Sequence, residues 1–250
     1  MKQQRELNVN RIKTIHTSRT IMFAELQKVM DFAIENNDYV DTLNQNVTRK
    51  KTQSGQEKTA KYLRNLYGFD VNNPSFQAFS YFWTITEVNE KPLLSFIYAI
   101  IHDTMLEESV SVVQETPIGE KVTVERIEEN IEKYHPARYS AATRRSMAQN
   151  IGSSWKQAGF IVGKVKNIRT QPDISYRVAC FAYLLAYLQG ARGEFIWNNI
   201  GVKSLCLNEI RLRELAVECA IRDLMQYQYA GNVTAISFNH LLSKIGINAI

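Results

Sequence analysis

Eleven glycines and five prolines are spread through 250 residues, roughly half the usual share of chain breakers. Few places to break, combined with long stretches of apolar residues at helical spacing, commit the chain mainly to helices. No repeat of fixed period and no low-complexity tract is present, which excludes solenoids and linker arrays. Apolar residues make up 45% of the chain and charged residues 22%, enough to bury a core and unlike a disordered chain. The expected fold is mainly α: a multi-helix bundle with winged helix-turn-helix-like segments and minor β hairpins, about two-thirds helix.

The spacing of Phe23, Leu26, Met30 and Ala33 predicts a helix over 19–36, ended by Asn36-Asn37-Asp38, and a shorter helix follows to about Asn46. Ser54-Gly55-Gln56-Glu57 reads as a capping box opening a helix to Tyr67, with Gly68 beyond its end. Residues 74–115 predict two or three largely buried helices, with Leu93–Ile101 apolar nearly all round. Pro117-Ile118-Gly119 marks the expected domain boundary. It divides a helical domain over 1–117, holding a basic helix-turn-helix-like segment, from a winged-helix-like domain over 118–250. Helices are expected at 123–134, 140–158, 175–190 and 208–229, with a short piece at 194–199. A hairpin is expected within 160–171, a strand-like stretch over 232–238 and a short last helix.

Charge placement narrows the function. Residues 133–172 hold Lys133, Arg138, Arg144, Arg145, Lys156, Lys164, Lys166 and Arg169 with no Asp or Glu, a local +8 within a net +5. Such segregation attracts polyanions. The order helix, turn, helix, hairpin over 123–171 is that of a winged helix-turn-helix, whose second helix enters the major groove. On helix 140–158, Met147, Ile151, Trp155 and Ala158 fall on one arc and should pack inward, Trp155 against helix 123–134. Arg145, Gln149, Gly152 and Lys156 fall on the opposite arc. Arg and Gln carry the paired hydrogen-bonding groups that match guanine and adenine edges, and Gly152 would admit the backbone to the groove wall. Arg144, near the apolar edge, suits a phosphate or an internal ion pair. Arg138 and the hairpin residues Lys164, Lys166 and Arg169 suit phosphates. A second basic patch comprises Arg49, Lys50, Lys51, Lys58, Lys61 and Arg64. For both patches the plain alternative is a solvated basic face.

Other chemistry lacks its signature. The histidines His16, His102, His135 and His240 are scattered and no phosphate-loop, dinucleotide or serine-hydrolase motif occurs. The expectation is therefore no enzyme, no metal and no cofactor, with His102-Asp103, Glu107 and Glu108 forming a cap and first exposed turn. Cys180, Cys206 and Cys219 read as reduced core thiols. No apolar segment follows Met1–Glu6, and no apolar run approaches the ~20 residues of a membrane span. A cytoplasmic protein that does not enter membranes is expected.

Several stretches resemble the BrxA family of BREX bacteriophage-exclusion systems: Glu25-Leu26, Asn46-Val47-Thr48-Arg49-Lys50 and Tyr62-Leu63-Arg64-Asn65-Leu66-Tyr67. Further stretches are Tyr139-Ser140-Ala141-Ala142-Thr143, Asn150-Ile151-Gly152-Ser153-Ser154-Trp155, Ala158-Gly159-Phe160, Leu188-Gln189-Gly190 and Gly231-Asn232-Val233 through Phe238. The resemblance implies an all-helical DNA-binding accessory protein of bacterial phage defence. It would act on double-stranded DNA beside a methyltransferase, a large ATPase and a phosphatase-like partner. An RNA-binding helical factor and a protein-interaction scaffold with a basic face remain the alternatives.

Overall fold

A computed structural model describes residues 12–36, 38–231 and 233–247. The stretch read for a leader, and Asn37 and Asn232, lie outside the described residues. The chain is mainly helical, with thirteen α-helices and two small antiparallel hairpins among the described residues. The helical share is 59%.

Helix α1 (Phe23–Asn36) and α2 (Tyr39–Asn44) precede α3 (Gln53–Tyr67). Gly68 ends α3 at φ +73°, a left-handed conformation that spares glycine the Cβ clash. The start of α3 differs from expectation. Thr52, in extended backbone, accepts the Gly55 N–H at 3.1 Å, while Ser54 lies inside the first turn and Glu57 is held by Gln53 at 2.9 Å. Two hydroxyls stand near this end, and the helix uses the one whose backbone is already extended.

The centre is α4 (Pro74–Ile85), α5 (Lys91–Ile100), the short α6 (Thr104–Glu108) and α7 (Val110–Glu115), and α10 (Tyr176–Leu188). Every residue from Leu93 to Ile100 is buried, as an apolar all-round helix requires. Phe79 and Tyr98 stack at 4.5 Å, Tyr98 lies 6.2 Å from Tyr67, and Phe181 of α10 closes on Phe82 at 5.4 Å. Large aromatic area removed from water at one locus holds four helices together.

After Pro117 come α8 (Val124–Tyr134), α9 (Ala141–Gln157) and a hairpin of β1 (Ile161–Val162) with β2 (Ile168–Arg169). Lys121 pairs with Ile168 on the hairpin's other side. The core continues across Pro117: Trp155 of α9 is fully buried, its ring 4.5 Å from Phe96 and 5.1 Å from Phe160, its N–H on Ser109 Oγ at 2.8 Å. The predicted inward arc holds. The partners recorded for the Trp155 ring, however, come from α5, Ser109 and the start of the hairpin.

A 3₁₀ helix (Gly193–Asn198), α11 (Ile200–Lys203) and α12 (Glu209–Ile221) follow, then β3 (Gln226–Ala230) paired with β4 (Val233–Ser237), and α13 (Asn239–Lys244). The helix expected to reach Tyr229 stops at Ile221. Asp223 turns to φ +60°, and Gln226-Tyr227-Gln228-Tyr229 supplies the partner that a lone strand at 233–237 would lack. Cys180 and Cys219 are buried, Cys206 partly so, and all three are free thiols. No helix among the described residues is long and apolar enough to cross a membrane.

Candidate nucleic-acid interface

The α8–α9–hairpin unit is built locally. Thr123 caps α8 through the Arg126 N–H at 3.2 Å, and Ser140 caps α9 through the Thr143 N–H at 3.2 Å. Between them, His135 Nε2 meets Glu108 Oε2 at 2.8 Å and fixes the turn against α6. Burial raises the Glu108 carboxyl above its ordinary value, against the pull of His135. Met147, Ala148, Ile151, Ser154 and Trp155 face inward. Arg145 and Gln149 face solvent, and Gly152 turns partly toward Ile127 of α8, 3.7 Å from where a Cβ would stand. That spacing is ordinary contact, so the packing here does not demand glycine.

The cations of this unit are unequally free. Arg145 reaches Glu125 at 3.4 Å and Glu128 at 3.3 Å, both on α8. Arg144 pairs with Glu132 at 2.8 Å and donates to the Tyr139 carbonyl at 2.8 Å, the internal pairing allowed for it. Lys156 lies 3.4 Å from the Lys164 carbonyl. Arg169 corrects the expectation that it touches phosphate: it is 3% exposed. Its guanidinium donates to the carbonyls of Val113 at 3.1 Å and Thr170, and lies over the Phe160 ring at 5.3 Å. Burial pushes its basicity below the ordinary guanidinium range. Arg169 is a tie between the hairpin and α7. Arg138, Lys164 and Lys166 are exposed with no carboxylate within 4 Å among the described residues. Val165, between the two lysines at the hairpin tip, is 84% exposed.

The second surface is the turn before α3 and that helix's outer face. Asn46 bonds both Lys50 backbone groups, at 2.7 and 2.8 Å, which tightens the turn. Arg49 sits at φ +55°. Lys50 is committed to Glu25 at 2.8 Å. Arg49, Lys51, Lys58, Lys61 and Arg64 are all exposed, and none has a carboxylate within 4 Å among the described residues. Leu63, Leu66 and Tyr67 are buried on the opposite face. Asn44, Asn46, Lys51, Gln56 and Arg64 line a shallow groove of about 660 Å³ along the turn.

Sequence reasoning missed a buried polar chain. His16 Nδ1 lies 2.9 Å from Asp103 Oδ2, and His16 Nε2 lies 2.9 Å from Ser154 Oγ. This is the residue order of a nucleophilic triad, but His16, Ser154 and Asp103 are at most 1% exposed. The Ser154 hydroxyl donates to the Asn150 carbonyl at 3.0 Å and accepts the Ile21 N–H at 3.0 Å. A neighbouring cavity of about 490 Å³ is lined by His102 and Asp103 but not by His16 or Ser154. Every atom a nucleophile would need is already engaged, and the chain acts as a clamp. Burial raises the Asp103 carboxyl, yet His16 and the N–H groups of Ile15 and Leu106 outweigh it and hold it below its ordinary value. Burial pushes His102 down to about 4, with Lys13 adding to the effect. Asp103 does cap α6, accepting the Leu106 N–H at 3.1 Å. It is buried where an exposed turn was expected. No signal along the sequence joins residues 87 and 138 positions apart.

No family model, curated protein or solved structure matches the chain.

Proposed function

We propose that this protein binds double-stranded DNA through its two basic surfaces, α3 leading and the α9 hairpin following, and contributes no catalytic group of its own. The observation that carries this reading is the set of five cations without a carboxylate partner, Arg49, Lys51, Lys58, Lys61 and Arg64, on one helix and its preceding turn. Unpaired cations exchange condensed counterions for phosphates, the main source of affinity for a polyanion. The helix–turn–helix–hairpin order of 124–169, with Lys164-Val165-Lys166 at an exposed tip, supports a winged-helix mode. The setting we propose, on the BrxA resemblance, is a cytoplasmic phage-defence system in which partner proteins perform the chemistry.

The test is a salt titration of binding to duplex DNA, single-stranded DNA and structured RNA. The five α3 cations alone give a slope of log K on log salt of about −4.5 on duplex DNA, and each hairpin contact steepens it by about 0.9. A slope shallower than about −2 on duplex DNA, or tighter binding to structured RNA, overturns the reading; the latter outcome favours the RNA-binding alternative.

A further inference from the structure

Residues 12–22 form no regular element, yet they are hydrogen-bonded to both α9 and α3. Toward α9, the Asn150 amide donates to the His16 carbonyl at 2.9 Å, Ser154 holds His16 and Ile21, and Gln157 accepts the Phe23 N–H at 3.2 Å. Toward α3, the Tyr67 hydroxyl donates to the Ile21 carbonyl at 2.6 Å. Asp103 fixes the inner side through His16, Thr14 and the Ile15 N–H. The strap leaves outside Lys13 and one turn, Thr17-Ser18-Arg19, all exposed. The N–H groups of Ser18 and Arg19 both donate to the Ile15 carbonyl at 2.9 Å, so the turn is held in shape.

Arg19 lies with its guanidinium 5.2 Å from the centre of the Tyr62 ring on α3. Lys58 and Asn65 stand one helical turn to either side of Tyr62, on the same face. Arg19 has no carboxylate within 4 Å among the described residues. Its recorded hydrogen bond, to the Ser18 carbonyl at 3.0 Å, uses one nitrogen of the guanidinium. A cation braced on an aromatic ring of a basic helix is pre-organised for a planar, two-pronged contact to phosphate.

We infer that Arg19, with the Thr17 and Ser18 hydroxyls beside it, is a phosphate contact that extends the α3 surface, so that strap and helix grip one duplex together. This rests on the DNA reading above. Without a phosphate to meet, Arg19 would be only a brace for Tyr62.

The experiment is fluorescence anisotropy on a duplex of about 20 base pairs, two helical turns, with wild type, Arg19→Ala and Arg19→Lys, alongside thermal unfolding. Arg19→Ala is expected to weaken binding about 8-fold at 0.1 M salt and to reduce the salt slope by about 1, as loss of one phosphate contact does. Its unfolding temperature should match wild type. Arg19→Lys should recover the slope but only part of the affinity. Wild-type affinity and slope for Arg19→Ala overturn the inference while leaving DNA binding in place. Absence of binding by wild type removes both.

Discussion

The two basic regions of this molecule have opposite fates. Residues 133–172 carry eight cations and no acid, whereas 46–65 carry six cations and one acid, so by linear count the later region is the stronger polyanion site. In three dimensions the lead disappears: outside the core, each region keeps five cations with no carboxylate within 4 Å among the described residues, and those of 46–65 share one helix and its preceding turn. Helix α8, just before the 133–172 stretch, turns Glu125, Glu128 and Glu132 onto Arg145 and Arg144, and the core takes Arg169. The α3 region loses only Lys50, to Glu25. A window of sequence counts charges; a helix hairpin brings in the charges of the neighbouring helix. Exposed ion pairs of this kind contribute little to stability, but each one removes a cation from the set that can meet phosphate.

The comparison is open to a direct break. Reversing two free cations, Lys58→Glu with Lys61→Glu, should weaken duplex binding by about 60-fold or more at 0.1 M salt, the loss of two contacts. Anisotropy measures it, and a loss below about 5-fold returns the leading role to α9. On the hairpin, two residues three apart should part company. Lys166→Ala should lower affinity about 8-fold and the salt slope by about 1. Arg169→Ala should leave the slope unchanged and lower stability by about 2–3 kcal/mol, because it strands buried carbonyls. Denaturant unfolding beside the salt titration separates them, and a slope change in Arg169→Ala would restore it to the interface. The smallest effect has the opposite sign. Glu125→Gln with Glu128→Gln should release Arg145 and raise affinity about 3-fold, part of one phosphate contact; unchanged or weaker binding would mean that Arg145 does not face the nucleic acid.

Most of the helices were legible because apolar residues repeat at 3.6 and because caps such as Ser140 and breakers such as Gly68 are local chemistry. The inward arc of α9, with Met147, Ile151 and Trp155 fully buried, followed from the wheel alone. What escaped was set by neighbours distant in sequence. Arg169 reads as outward in an apolar–basic alternation. A strand's two faces differ by one residue of phase, and Phe160, Val113 and the bridge at Lys121 choose the phase in which arginine goes in. The length of α12 was overestimated because Gln226–Ala230 has no helix breaker; only its pairing with Val233–Ser237 makes it a strand. The His16–Asp103–Ser154 chain has no spacing by which to recognise it.

That chain also bears on the order in which the molecule can be made. His16 leaves the ribosome among the first residues described here, but its partners follow it by 87 and 138 positions. The strap can meet Tyr67 and Asp103 before α9 emerges, but not Asn150 or Ser154. During synthesis at ~5–20 residues per second, the Ile21 N–H would wait several seconds or more for the Ser154 hydroxyl beside an unfinished core. Contacts of such long sequence separation slow folding and bind the early and late parts into one cooperative event. A nascent chain halted near Pro117 would carry Asp103 and Phe96 without Ser154 and Trp155 to cover them, a natural substrate for chaperones.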